Sequence, residues 1–150
     1  MAPQCLGIIR SYAQRTDLWF EVGGLGSRYP NDATENYGAT VEGYLTPAES
    51  GSYHFFIRSD DASELYISTD ATEAGLTLQA QETACCAAYQ EVDLGAEETT
   101  AAPLALTAGQ KYFIRAVYKE GGGGDYVQVA WRKVGDTTPA ASLTPIPSQF

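Results

Sequence analysis

The sequence predicts an all-β protein, an antiparallel β-sandwich with its variable loops gathered at one end. Three observations predict it: apolar residues alternate with a period of two, turn signals recur at short intervals, and no stretch carries a pattern that needs a long helix. The chain has 150 residues, the size of a single domain with one core, and no internal repeat or second domain is visible.

Each element can be justified in turn. Gly7-Ile8-Ile9-Arg10 suits an edge strand, and 22–38 suits a long loop around Gly23-Gly24 and Tyr29-Pro30. A strand is expected over 39–45. In 52–58, Tyr53, Phe55 and Ile57 point one way and His54, Phe56 and Arg58 the other. Shorter strands are expected over 63–68, 76–80 and 89–94. The alternation returns in 111–119, with Tyr112, Ile114, Ala116 and Tyr118 on one face, and in 126–132, where Trp131 continues Val127 and Val129 toward the core. Between these lie Thr46-Pro47, Glu49-Ser50-Gly51, Thr69-Asp70 with Gly75, Ala108-Gly109 and four consecutive glycines, 121–124. Residues 137–150, with three prolines, read as a closing strand and linker. Met1 precedes Ala-Pro with no basic or apolar leader, as in a domain excised from a longer chain.

Counting strand directions gives a functional expectation. If 52–58 runs toward one end of the sandwich and each strand reverses its predecessor, four loops meet there. They carry Asn36 and Tyr37, Asp60 and Asp61, Cys85 and Cys86, and 121–125.

Composition narrows the chemistry. Nine Lys or Arg against 19 Asp or Glu give a net charge of −10, which repels phosphate backbones and anionic lipid. Cations are the better partners. No apolar run approaches the roughly 20 residues that span a bilayer. The single histidine, His54, rules out sites built on several histidines and is expected to be a structural residue within its strand. Three cysteines leave the pairing open: Cys5 with one of the adjacent two, a vicinal Cys85–Cys86 disulfide, or three free thiols.

Asp60 and Asp61 directly follow a strand, and as neighbours they grip one small target only if the backbone bends sharply between them. Glu120-Gly121-Gly122-Gly123-Gly124-Asp125 is the second signal, because four glycines in a row carry an entropic cost that a plain hairpin avoids. Their backbone carbonyls with Asp60, Asp61 and Asp125 make an all-oxygen set suited to calcium, which takes 6–8 oxygen ligands in flexible geometry. The run lacks the Lys-Ser or Lys-Thr of a P-loop and leads into a strand, so a phosphate cradle is rejected. Adjacent carboxylates bent onto one ion are too close for a glycosidase pair, although Glu64 and Glu120 remain separate acids.

The residues together resemble the PA14 domain, a β-sandwich module of bacterial toxins, adhesins and glycosidases and of yeast adhesins. The resemblance runs from Gly7–Arg10 through Asn36-Tyr37-Gly38 and Val41–Leu45 to the block Gly51–Ser68. It resumes at Leu106–Tyr112 and Lys119–Asp125 and ends at Val127–Trp131. It implies that Asp60 and Asp61, joined by a cis peptide, hold Ca2+ together with Asp125 and the carbonyls of Gly122 and Gly123. The ion would bind vicinal hydroxyls of a mono- or oligosaccharide, such as a hexose or fucose. The expected sugar contacts are Asp60, Asp61, Gly124, Asp125, Tyr126, Cys85 and Cys86, with Tyr37 and Tyr89 as further stacking candidates.

The resemblance is weakest at 81–88, where many relatives carry a Trp-containing segment and this chain has Thr83-Ala84-Cys85-Cys86-Ala87-Ala88. The expected function is that of a monomeric, calcium-dependent lectin module of an extracellular or cell-surface protein, without enzymatic activity, nucleic-acid binding or membrane insertion. The alternative is a calcium-stabilised structural or protein-contact domain with no sugar affinity.

Overall fold

The computed structural model describes residues 4–11, 26–28 and 35–147, the first two segments as backbone strands. Among the described residues nine strands follow in order: β1 (Gln4–Ser11), β2 (Gly26–Arg28), β3 (Tyr37–Thr46), β4 (Gly51–Asp60), β5 (Ser63–Ile67), β6 (Thr77–Glu82), β7 (Leu104–Leu106), β8 (Tyr112–Glu120) and β9 (Tyr126–Lys133). They form two sheets, β1-β3-β8-β5-β6 and β2-β9-β4-β7, and every pairing is antiparallel. This is the predicted sandwich. No helix among the described residues is long and apolar enough to cross a membrane.

The core follows from period-2 geometry: alternate residues of each strand face the other sheet and exclude water there. Val41 and Leu45 of β3, Phe55 and Ile57 of β4, Leu65 and Ile67 of β5, Ile114 and Ala116 of β8, and Val127 and Val129 of β9 are all buried in one cluster. Trp131 is only partly buried and covers the core edge, stacked on Tyr53 with ring centroids 4.9 Å apart. His54 is the structural residue expected, with Nδ1 3.3 Å from both the carbonyl and the hydroxyl oxygen of Thr100.

The elements differ from expectation in two places. Residues 89–94 form no strand, because Tyr89 turns onto the outer face of the second sheet and packs edge-on against Phe56, while Leu94 is exposed. Residues 97–100 take the pairing position instead: the Ile57 amide donates to the Glu98 carbonyl at 2.8 Å and the Thr100 amide to the Phe55 carbonyl at 3.0 Å. Beyond them β7 continues the pairing along the same edge of β4. Second, the part of 137–150 that is described contains a 3-10 turn, Ala140–Ser142, and no strand. Ile146 is nonetheless buried in the core, its amide donating to the Val129 carbonyl at 2.9 Å. The expected edge strand at 7–10 lies within β1, and Gly23, Gly24, Tyr29 and Pro30 of the expected loop lie outside the described residues.

The register places the loops as counted. Asp60 of β4 lies opposite Tyr126 of β9, and Glu120 of β8 lies opposite Tyr37 of β3. The β4–β5 turn, the 121–125 loop and the segment entering β3 therefore share one end of the sandwich.

Candidate metal centre

The inward rows of the strands continue past their apolar residues into acids. Tyr112, Ile114, Ala116 and Tyr118 are followed in phase by Glu120, and Val127 and Val129 are preceded in phase by Asp125. Glu35 stands in the same phase ahead of Tyr37 and Ala39, and Asp61 follows Phe55, Ile57 and Ser59. The core's own alternation thus delivers carboxylates to one end. Glu120 is 2% exposed and Asp125 is 1% exposed.

Glu35, Glu120 and Asp125 bring carboxylate oxygens within 4.8 Å of one another. Neither oxygen of Glu120 takes a hydrogen bond of good geometry. Burial pushes its carboxyl up to about 7, helped by the charges of Asp125, Asp61 and Asp60 and partly offset by the nearby Gly122 amide. Among the described residues, no basic side chain forms an ion pair with Glu35, Asp61 or Glu120. Like charges held together and out of water are costly unless a cation or a proton neutralises them.

The glycine run wraps this cluster. The Gly121 amide donates to Asp61 Oδ2 at 2.8 Å, and the Gly123 amide donates to Glu35 Oε2 at 3.1 Å. A Cβ on Gly121 would lie 2.8 Å from Asp61 Oδ2, and one on Gly124 would lie 2.9 Å from Asp60 Oδ2. Gly123 adopts φ +114, a conformation that side chains rarely tolerate. The run is thus glycine because the loop must lie against the acid pair. The peptide bond between Asp60 and Asp61 is cis.

The segment after β6 closes the other flank of Asp60. Cys85 and Cys86 are disulfide-bonded to each other, so neither is available to Cys5. The Cys86 amide donates to the Ser59 carbonyl at 2.8 Å, and both sulfurs lie within 4.8 Å of an Asp60 carboxylate oxygen. As disulfide sulfurs they cannot act as thiolate ligands.

Among the other residues read as candidates, Tyr37 is buried, edge-on to Tyr118 with the two hydroxyls 3.1 Å apart. Its phenol is pushed up by burial first, then by Tyr118 and Asp125. Tyr89 is buried beneath the Arg58 guanidinium, and burial pushes it up to about 12 against that charge. Neither ring presents a face for stacking. Tyr126 is half-buried, at the edge of the same Arg58 group, 5.9 Å from guanidinium carbon to ring centroid. Glu64 is exposed and accepts the Tyr66 hydroxyl at 2.6 Å, apart from the cluster. Sequence reasoning missed Glu35. Its signal was its phase with Tyr37, Ala39 and Val41.

A donor set of carboxylates, with the buried uncompensated oxygens of Glu120 and a glycine loop lying close against the acids, fits a hard oxygen-seeking cation. The fold and site define an antiparallel β-sandwich module with an acid-lined loop end. The chain belongs to the PA14 domain family, whose model matches residues 22–143.

A curated mouse (Mus musculus) relative, N-acetyl-beta-glucosaminyl-glycoprotein 4-beta-N-acetylgalactosaminyltransferase 1, is 29% identical over 105 residues. The match covers 65% of this chain but 10% of the relative, so the chain corresponds to a small part of that enzyme. Among solved structures, an anti-sigma factor domain-containing protein from Clostridium clariflavum is similar in fold, with a TM-score of 0.58 and 18% identity, over 99% of this chain and 49% of that one. The epithelial adhesin 9 A domain from Candida glabrata, crystallised with Galb1-3GlcNAc, is similar with a TM-score of 0.50 and 17% identity, over 76% of this chain and 54% of that one.

Proposed function

We propose that this chain is a calcium-dependent carbohydrate-binding module, a lectin domain of an extracellular or cell-surface protein. The observation that carries the reading is the convergence of Asp60, Asp61, Glu120 and Asp125 around a glycine loop at one end of the sandwich. Asp60, Asp61 and Asp125 would hold Ca2+, with carbonyls of Gly122 and Gly123 completing the set and Glu35 and Glu120 adding charge at its rim. Held there, the ion would supply a positive centre for two vicinal sugar hydroxyls. The PA14 family and a structural neighbour crystallised with a disaccharide support a glycan partner.

The chain's own residues define what happens there. The Gly121 and Gly123 amides orient Asp61 and Glu35, which fixes both the loop and the direction of the carboxylates. The Gly124 backbone passes so close to Asp60 that the pair is gripped from the loop side. No step here breaks a bond: the carboxylates serve as ligands, and Glu64 is paired with Tyr66 on the surface. The module is therefore read as a binder and not an enzyme.

A sugar held by two hydroxyls and little else recovers only a modest surplus over the freedom it loses. Single-site dissociation constants should be on the order of 0.1–10 mM, and repeated copies on a surface would supply avidity. Competition on immobilised glycan tests the reading: hexoses or fucose with an intact vicinal diol should compete in calcium, and binding should vanish with chelator. Calcium binding with no response to any glycan would instead establish a calcium-stabilised structural or protein-contact domain.

A further inference from the structure

The Cys85–Cys86 disulfide has no evident structural task. A cross-link stabilises a fold chiefly by closing a loop in the unfolded chain, and the gain shrinks with the loop; a link between neighbours closes almost nothing. Both cysteines are exposed, so the sulfurs fill no core space. Yet the loop is fastened tightly. The Cys86 amide donates to Ser59 at 2.8 Å, and the Ala84 amide donates to Glu82 Oε1 at 2.9 Å, with Glu82 itself 3% exposed. These two anchors hold both sulfurs within 4.8 Å of an Asp60 carboxylate oxygen, the same side chain that the Gly124 backbone approaches.

We propose that this disulfide is a contact plate for the ligand, packing against the C–H flank of a sugar whose diol sits on the ion; the inference rests on the function proposed above. Exposed sulfur is polarizable and weakly hydrated, so it gains from contact with C–H groups where a hydroxyl or carboxylate would have to be desolvated. The ion selects the diol, and the plate selects what adjoins it. A pyranose with an apolar flank beside its diol, such as a 6-deoxyhexose, is the class of ligand that profits from both. The flat, exposed contact that an aromatic ring would provide is here provided by two adjacent sulfurs, since Tyr37 and Tyr89 are buried and the half-buried Tyr126 ring lies beneath the Arg58 guanidinium.

The test separates metal from sugar. Calcium affinity by titration, fucose affinity by competition on immobilised glycan, and melting temperature are measured for three species: the native protein, the native protein reduced with a phosphine and checked by thiol count, and the double variant Cys85→Ser/Cys86→Ser. Calcium affinity should stay within about twofold, because neither cysteine is a ligand, and the melting temperature should barely move. Fucose affinity should fall about 5–10-fold, the upper figure equal to about 1.4 kcal/mol.

Fucose affinity within twofold of native in the reduced protein overturns the inference, and this arm decides if the double variant does not fold. Parallel loss of calcium and fucose also overturns it, by showing that the loop acts on the ion site. If the native, oxidised protein binds no glycan in calcium, the underlying function fails and this inference with it; native binding with no effect of reduction removes the plate alone.

Discussion

The two ends of the sandwich solve opposite electrostatic problems. At the end where β4 begins, charge is paired on the surface: Lys133 Nζ lies 2.7 Å from Glu49 Oε2, and Tyr53 stacks on Trp131 above the core. At the end where β4 finishes, the inward rows run into Asp61, Glu120 and Asp125, and Glu120 has no ion-pair partner among the described residues. One end is complete in itself. The other buries Glu120 with no basic partner among the described residues, and the comparison teaches that the site is an interrupted core rather than a decorated surface. The same alternation that buries Ile114 and Val129 buries the acids.

Removing the cation should therefore separate the ends most clearly. A ligand at about 100 times its dissociation constant contributes roughly 2.7 kcal/mol, so saturating calcium should raise the melting temperature by about 5–10 °C over the chelated protein. Differential scanning calorimetry with calcium and with chelator measures it; equal melting temperatures would show that the acid end needs no ion.

Next in size are the close approaches of the glycine loop. Gly121→Ala and Gly124→Ala each place a methyl against an aspartate oxygen, and calcium affinity should drop at least about tenfold by titration. Gly109→Ala is the control. It has φ +76 but open space around it, so it should cost about 1 kcal/mol of stability and leave calcium affinity unchanged.

Acidity gives a smaller, signed effect in the stripped protein. The Glu120 carboxyl is raised from 4.5 to about 7, chiefly by burial and then by Asp125, Asp61 and Asp60. The folded state therefore keeps a proton that the unfolded chain gives up. That contribution is fully present below about pH 4.5 and is lost as the pH rises through about 7. Without calcium, thermal stability should fall between pH 5 and 8; in Glu120→Gln the fall should flatten, and calcium should bind that variant more weakly. At the far end, Lys133→Ala should change neither calcium affinity nor, measurably, the melting temperature, since an exposed pair contributes little.

Much of the sandwich was legible in the sequence because period 2 leaves a direct trace: 52–58 and 126–132 fall inside strands, and 111–119 does so from Tyr112 onward. Convergence of the loops followed from counting reversals. The misreadings share a cause, which is that local pattern does not report tertiary cover. Residues 89–94 look like a strand, but Tyr89 is drawn onto Phe56 by burial of the outer face. The glycine run was read as a source of carbonyls, and the structure adds a signature that the sequence does not carry, close approach: a Cβ would lie within 3 Å of an aspartate oxygen at Gly121 and at Gly124. Glu35 sits before its strand, where only its phase marks it. Pairing of Cys85 with Cys86 was one of three open alternatives, because spacing says which thiols are neighbours but not which oxidise together.

The most direct test of the acid end is calorimetric titration of calcium into chelator-stripped protein, run beside Asp61→Ala. One saturable site is expected, weakened at least about tenfold in Asp61→Ala, which removes both a proposed ligand and the acceptor of the Gly121 amide. Absence of binding by the native chain, or equal binding by Asp61→Ala, would contradict the account.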